Sequence, residues 1–516
     1  MDGMPKYGAD RDLPVPVLRV GWALAIAALL IVATAFRVIG LDHLPGVNGD
    51  EAWYGVLAQT IASGTDAQWR TPSGNLPGPF QVGSLLILQT IFPPSFALLR
   101  SPTVLSSIAA AGLTWWIMQR HFDRHPAVIA LILMAALPTS IAYARFGWDP
   151  SHGPMIALVC TAFALAGQRL ACALAFAVAL AAHPTNVFIA PFLLLTLLGV
   201  AAERSGWRAA VKWTAPALPM FVLALGILAV TSPHAQASAH PLTMLARILD
   251  PAQWASFVVL FGRLISGDTV YTYIAGAGFG GEQRLVDLAI LSSLTGLIAA
   301  GLWMLRRRPF GREAGIVSGW LATLLCFFLV AGPDAMAPHL ERYSICLIAP
   351  TVLATTILLR EIGGRGARMA WPLAATVLIG ALLLIGFHRH YFAALEATGS
   401  LSHRTFWTGP VEPKELAFRA LLANSHQRPR PLQVVVEDWW LYWPVAYLAA
   451  DKPVHVINAS AVSPGRLPHN PVWLVFAAGP LDRRFVATPG AVPGDAIGGT
   501  GRTAILRIWW SVLNQQ

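Results

Sequence analysis

The chain has 516 residues, of which 55% are apolar and only 12% charged, with a mean hydropathy of +0.57. Soluble globular proteins carry about 25% charged residues, so this composition excludes an ordinary soluble enzyme, and its apolarity excludes a disordered chain. The formal net charge of +10 reads first as membrane topology and not as affinity for nucleic acid.

In chain order, Lys6, Arg11 and Arg19 precede an apolar run from Val20, and Ala33-Thr34-Ala35 mimics a cleavage site. The many later apolar runs favour a retained signal-anchor over a cleaved signal peptide. The pattern predicts eleven spans, at 18–40, 98–118, 126–143, 154–168, 170–182, 187–202, 213–231, 286–305, 314–331, 342–359 and 369–387. Residues 80–92 are apolar but short, and predict a helix lying at the interface. Cys160, Cys172, Cys326 and Cys346 all fall inside apolar runs, without zinc-ligand spacing, and read as small core residues.

Charge orients the spans. With the N-terminus inside, the cytoplasmic segments hold sixteen Lys and Arg residues, among them Arg306, Arg307, Arg308 and Arg312, and the loops and span ends of the opposite side before residue 388 hold seven, Arg70, Arg100, Arg145, Arg247, Arg263, Arg284 and Arg342. The positive-inside rule then puts 1–17 in the cytoplasm and 41–97, 232–285 and 388–516 outside. Residues 18–387 form the expected transmembrane domain. The tail, 388–516, mixes Pro, Gly and charge throughout and predicts a small extracytoplasmic α/β domain. Its expected strands are Gln433–Val436, Val454–Ile457, Pro471–Ala477 and Ala504–Trp509, with a helix over Trp440–Ala450. Trp439, Trp440 and Trp443 suit either its core or the lipid interface, and core is the expectation.

The polar residues with chemical potential all fall on the outer side. The first outer loop contains Asn48-Gly49-Asp50-Glu51-Ala52-Trp53-Tyr54, where Asn48 or Asp50 can cap a short helix reaching Ala62. Asp50 as a mere cap is the bland alternative to Asp50 as a functional acid. The second outer loop compresses Arg145, Trp148, Asp149 and His152 into eight residues. His183 closes the fifth span, and Asp334, His339, Glu341 and Arg342 join the ninth to the tenth. A lone histidine at a span end is usually filler, but loops converging on one face suggest a site. Arg37, Arg100, Arg145 and Arg342 each lie at the outer end of a span, against the topology rule. Snorkelling to the surface is one explanation. The other is a cavity that holds an anionic headgroup, since a guanidinium grips phosphate in a bidentate fork.

With these residues on the page, the chain resembles the GT-C superfamily of integral-membrane glycosyltransferases, nearest the bacterial branch of protein mannosyltransferase-like enzymes and lipid A sugar transferases. The resemblance rests on Arg37, Gly49-Asp50-Glu51-Ala52-Trp53-Tyr54, Leu99-Arg100-Ser101-Pro102, Arg145 with Trp148-Asp149-Pro150, His183-Pro184-Thr185, and His339 with Glu341-Arg342-Tyr343. It covers roughly 18–387. Two departures stand out: Ser101 follows Arg100 where the family usually has Leu, and the first loop lacks a lysine near its interfacial helix.

The resemblance implies a polytopic helical GT-C fold in a bacterial inner membrane. It implies a sugar donor linked to polyprenyl phosphate and an acceptor hydroxyl on an envelope glycolipid, polysaccharide or protein, with inversion at the sugar. Asp50 would be the general base, and Glu51 would position it or bind acceptor. Arg37, Arg100, Arg145 and Arg342 would be the candidates for the donor phosphate. Asp149, His152, His183, His339 and Glu341 would shape the acceptor site or hold a divalent ion, and metal dependence stays open. Two rival readings also suit a polytopic chain, a flippase or transporter for lipid-linked glycans and a non-catalytic membrane scaffold.

Overall fold

The computed structural model describes residues 16–65, 69–71, 76–231, 241–364, 369–400, 403–423, 431–463, 468, 471–498 and 504–511. Lys6 and Arg11, residues 232–240 of the expected outer loop, and Arg365 and Arg368 lie outside the described residues.

The protein is a multi-pass membrane protein. Helices occupy all eleven expected positions, but the count of eleven spans does not follow. Among the described residues seven helices are long and apolar enough to cross a bilayer, or nine if each of two bent pairs is one span. Length is one reason. Gly153–Ala166, Arg169–Ala182 and Leu218–Thr231 have 14 residues each, which at 1.5 Å per residue reach about 21 Å of a hydrocarbon core of about 30 Å. Proline is the other. The expected span at 126–143 is two helices, Arg124–Ala136 and Pro138–Ala144, bent by 56°. Leu137 sits between them in an extended conformation, as a residue before proline must. The segment expected as an outer loop also holds a helix pair after residue 240: Pro241–Leu249 and Pro251–Ser266 meet at 88°.

The helices pack through small residues. Gly315 and Gly319 of Arg312–Val330 lie against Ala190–Ser205. A Cβ on Gly315 would come within 2.6 Å of the Leu195 carbonyl oxygen, and one on Gly319 within 2.9 Å of the Phe192 backbone. In lipid, where tails are as apolar as side chains, such close backbone approach supplies the packing energy. All four cysteines are free. The interfacial helix expected at 80–92 is Pro79–Gln89.

The tail carries a five-stranded sheet in the order β2-β1-β3-β5-β4. β1 (Leu432–Val436) pairs in parallel with β2 (Val454–Asn458) and β3 (Val472–Phe476). β5 (Ala504–Ser511) runs antiparallel between β3 and β4 (Val492–Gly498). Val434–Val436 and Leu474–Phe476 are buried throughout, the continuous apolar run of strands covered on both faces. Helices Pro413–Ala423 and Trp439–Ala449 cover one face, and Phe485 of Pro480–Val486 covers the other. The tail also grips the first outer loop. The Gly46 amide donates to the Phe406 carbonyl (3.0 Å), the Val47 amide to Glu412 Oε1 (3.1 Å), and Gln59 Nε2 to the Tyr447 carbonyl (3.2 Å).

Candidate functional site

The site begins with a helix cap. Asn48 caps the helix Gly49–Ala62: its side chain accepts from the Asp50 amide (2.7 Å), while Glu51 Oε1 accepts from the Asn48 amide (3.0 Å). This reciprocal pair satisfies two of the helix's free amides. Since Asn48 does the capping, the Asp50 carboxylate is left to face the cavity beside it.

Glu51 is fully buried and pins the loops together. Its two oxygens accept from Arg100 Nε (2.8 Å) and Nη2 (2.9 Å), and Oε2 also accepts from the Gly147 amide (2.9 Å). Arg100 Nη1 donates to the carbonyls of Leu41 (2.9 Å) and Pro45 (3.0 Å). Arg145 donates to those of Phe36, Ile39 and Leu44, each at 2.7 Å. Arg37 bonds Ser107, Ser140 and the Ala33 and Ala135 carbonyls. All three arginines are buried; Arg100 and Arg145 hold the turn after the first helix by charge-assisted hydrogen bonds, and Arg37 ties that helix to Ser107, Ala135 and Ser140. None of them is among the residues lining the cavity.

That cavity, of about 390 Å³, brings together Asp50, Asp149, His183, and His339 with Arg342, from four segments distant in sequence. Tyr54 is its hinge with the second loop, its hydroxyl donating to Asp149 Oδ2 (2.6 Å). The same oxygen accepts from the Gly78 amide (2.6 Å), and Oδ1 is buried without a partner. Arg342 stands on aromatic faces, 5.6 Å from the Trp148 ring and 5.0 Å from Tyr343, a cation–π seat. No carboxylate lies within 4.0 Å of it among the described residues. Asp50 and Arg342 therefore share a cavity without being locked to each other.

Burial sets the electrostatics. It raises the Asp50 carboxyl above the usual range, against the pull of Arg342, with Glu51 adding to the rise. It lifts Asp149 to about 7, opposed by the Tyr54 and Gly78 hydrogen bonds. It pushes His183 down to about 3 and lowers His339, with Arg342 adding to both shifts. An acid with a raised pKa is a stronger base once ionised, and histidines held neutral can accept hydrogen bonds at neutral pH.

His152 and Glu341 lie behind the cavity wall. His152 is buried between Ser106 (2.7 Å) and Gln81 (3.0 Å), using both ring nitrogens. Glu341 is buried and accepts from the Tyr143 hydroxyl (2.9 Å). Asp149 and His152 thus do not form a donor pair for a divalent ion. Among the described residues no group of three or more His, Cys, Asp or Glu is arranged to hold one.

Several lining residues went unseen in the sequence. Tyr273 comes from the long outer loop, and His403, Trp439 and Trp440 come from the tail. Both tryptophans are half-buried and line the cavity, and Trp440 also packs against the tail core, as expected; it lies edge-on to His403, with ring centres 5.1 Å apart. Asp438 places them, its carboxylate accepting from the Trp440 and Leu441 amides as the helix cap.

The fold has counterparts among solved membrane proteins. The structure of ArnT from Cupriavidus metallidurans bound to undecaprenyl phosphate matches it with a TM-score of 0.53 at 13% identity, over 95% of this chain and 98% of that one. The archaeal oligosaccharyltransferase AglB from Archaeoglobus fulgidus, in complex with an inhibitory peptide and a dolichol-phosphate, gives 0.47 at 12% identity, over 90% of this chain and 70% of that one. No protein-family model matches the sequence, and no curated protein matches it.

Proposed function

We propose that the protein is a glycosyltransferase that moves a sugar from a polyprenyl-phosphate-linked donor to a hydroxyl of an envelope acceptor. The reaction takes place at the outer face of a bacterial inner membrane, with the tail on that side. The observation that carries the reading is the pairing of Asp50 and Arg342 across one cavity without an ion pair between them. A fold shared with an undecaprenyl-phosphate-binding protein supports the choice of donor.

The chemistry needs two groups. The acceptor O–H gives its proton to the Asp50 carboxylate as its oxygen attacks the anomeric carbon. The carbon–oxygen bond to phosphate breaks on the opposite face, which inverts the sugar. Phosphate leaves with the bonding electrons and needs no proton. Arg342 meets the charge that develops on it, and its planar fork suits two phosphate oxygens. Arg342 takes the role the sequence spread over four arginines, while Arg100 and Arg145 shape the loop that presents Asp50 and Arg37 ties down the first helix. Glu51 positions Asp50 through the helix cap. Asp149, His183 and His339 contact acceptor hydroxyls, and Glu341 and His152 brace the loops from behind.

The test is mass spectrometry of envelope glycolipids and glycoproteins from cells with the protein, without it, and with Asp50→Asn. One sugar addition should be present only with the wild type. Identical glycan profiles in all three would overturn the reading.

A further inference from the structure

A second groove lies on the tail, between the helix Trp439–Ala449 and β2. It encloses about 780 Å³, larger than the cavity itself. Along one wall stand Trp439, Tyr442 and Trp443, all half-buried, with Tyr442 and Trp443 edge-on at 4.7 Å. Along the other, His455, Asn458 and Ser463 offer hydrogen-bonding groups. Asn458 Oδ1 is used by the Ser460 amide (3.1 Å) and hydroxyl (2.8 Å), which leaves its amide nitrogen to donate. β2 is an edge strand, so nothing in the sheet covers this side.

Two features decide what such a groove takes. No Asp, Glu, Lys or Arg is among its described lining residues, so those walls offer no formal charge to a phosphate headgroup or a charged peptide. Flat aromatic faces opposite hydrogen-bond donors and acceptors match a ligand with apolar C–H faces and hydroxyl edges, which is the surface of a saccharide. The groove also adjoins the proposed site, with Trp439 lining both. We infer that this groove binds a saccharide chain of the acceptor, holding the sugar units beyond the one whose hydroxyl reacts. The inference rests on the glycosyltransferase reading and narrows its acceptor to a glycan-bearing one. Trp439 then marks the boundary between the sugars that are only held and the sugar that is extended.

The experiment uses the full chain in detergent. Oligosaccharides released by mild acid from the producing cell's own envelope are the first probe, undecaprenyl phosphate the second, and anionic phospholipid vesicles the third. Saccharide binding is followed by saturation-transfer NMR and titration calorimetry. The wild type should bind an oligosaccharide fraction, and Tyr442→Ala and His455→Ala should each bind it roughly tenfold more weakly, the scale of one lost aromatic or polar contact. Both variants should keep wild-type affinity for undecaprenyl phosphate, which also shows that they are folded. Trp443→Phe, which keeps a ring, should retain most of the saccharide affinity. Failure of every saccharide fraction to bind, with undecaprenyl phosphate still binding, overturns the groove and leaves the proposed reaction standing. Loss of vesicle binding in Tyr442→Ala, with saccharide binding unchanged, assigns the aromatic wall to lipid and also overturns it. Saccharide binding without any undecaprenyl phosphate binding would instead count against the donor assignment.

Discussion

The two ends of the helix bundle use charge in opposite ways. At the end away from the cavity three arginines have carboxylate partners: Arg312 with Glu203 (2.8 Å), Arg360 with Asp123 (2.8 Å) and with Glu313, and Arg308 with Glu361 (3.6 Å). At the cavity end, Arg342 and Asp50 face the same space with no such pair. Matched charges there tie helix ends together, and surface pairs of that kind are worth little, about 0–1 kcal/mol. Unmatched charges in a half-buried cavity cost stability and persist where a ligand or a reaction uses them. Arg100 with Glu51 is a third case within the cavity end. It is matched and fully buried, and it holds the scaffold while the neighbouring acid stays available.

The contrast can be broken by substitution. The largest effect belongs to Asp50→Asn, which keeps size and removes the base. Sugar transfer should fall by about 10²–10⁴-fold, measured per folded molecule in membranes. Near-normal turnover would move the base elsewhere.

Arg100→Met should act on folding instead. It leaves Glu51 buried and uncompensated, at a cost of about 3–5 kcal/mol. Folded yield in detergent should collapse, whereas a well-folded but inactive variant would return Arg100 to the phosphate site.

Arg342→Lys keeps charge but loses the fork. Its maximal rate at saturating donor should drop roughly ten- to a hundredfold, because the contact strengthens as phosphate departs. A lowered yield with an unchanged rate per molecule would make Arg342 a loop brace.

The pH dependence follows from Asp149. Its folded-state pKa of about 7 lies above its unfolded value of 3.8. The folded state therefore favours the protonated form, and this stabilisation is full below about pH 4 and lost as pH rises through 7. Asp50 shifts in the same direction. Thermal stability in detergent should fall between pH 5 and 8 by these shifts, and Asp149→Asn should flatten the slope. A slope left unchanged in the variant would assign it to another group.

At the small end, Arg312→Gln at the far end of the bundle should change stability by about 0–1 kcal/mol and leave transfer intact. A large loss of transfer there would mean the two ends communicate.

The amino-acid sequence shows the fold class clearly because long apolar runs and the Lys and Arg bias are local signals. The parallel strands β1 and β3 were equally visible through the apolar runs Val434–Val436 and Val472–Phe476. The hinge at Leu137-Pro138 was present as a proline inside an apolar run, and was missed because hydropathy averages over it. β4 was hidden because Val492–Gly498 is mostly exposed and carries Pro493 and Gly494, residues that disguise an irregular edge strand.

The site was half legible. Asp50, Asp149, His183, His339 and Arg342 sit in loops whose side of the membrane can be read from charge. The depth of an arginine can be read too, but not its direction. Whether Arg37, Arg100 or Arg145 turns to the cavity or to carbonyls many residues away is fixed only when the helices meet. The Trp439–Trp440 wall could not be foreseen at all, since it depends on the tail docking against the helix Gly49–Ala62.

That docking has a consequence in time. The turn before Asp50 is held on one side by Arg100 and Arg145 and on the other by Phe406 and Glu412. A chain made from its N-terminus exposes Asp50 long before Glu412 exists. Until the last quarter of the polypeptide has been delivered and folded, the turn lacks its second anchor and the cavity lacks its tryptophan wall. A half-made molecule thus lacks a closed cavity, and translation itself sets the earliest moment at which the site is complete.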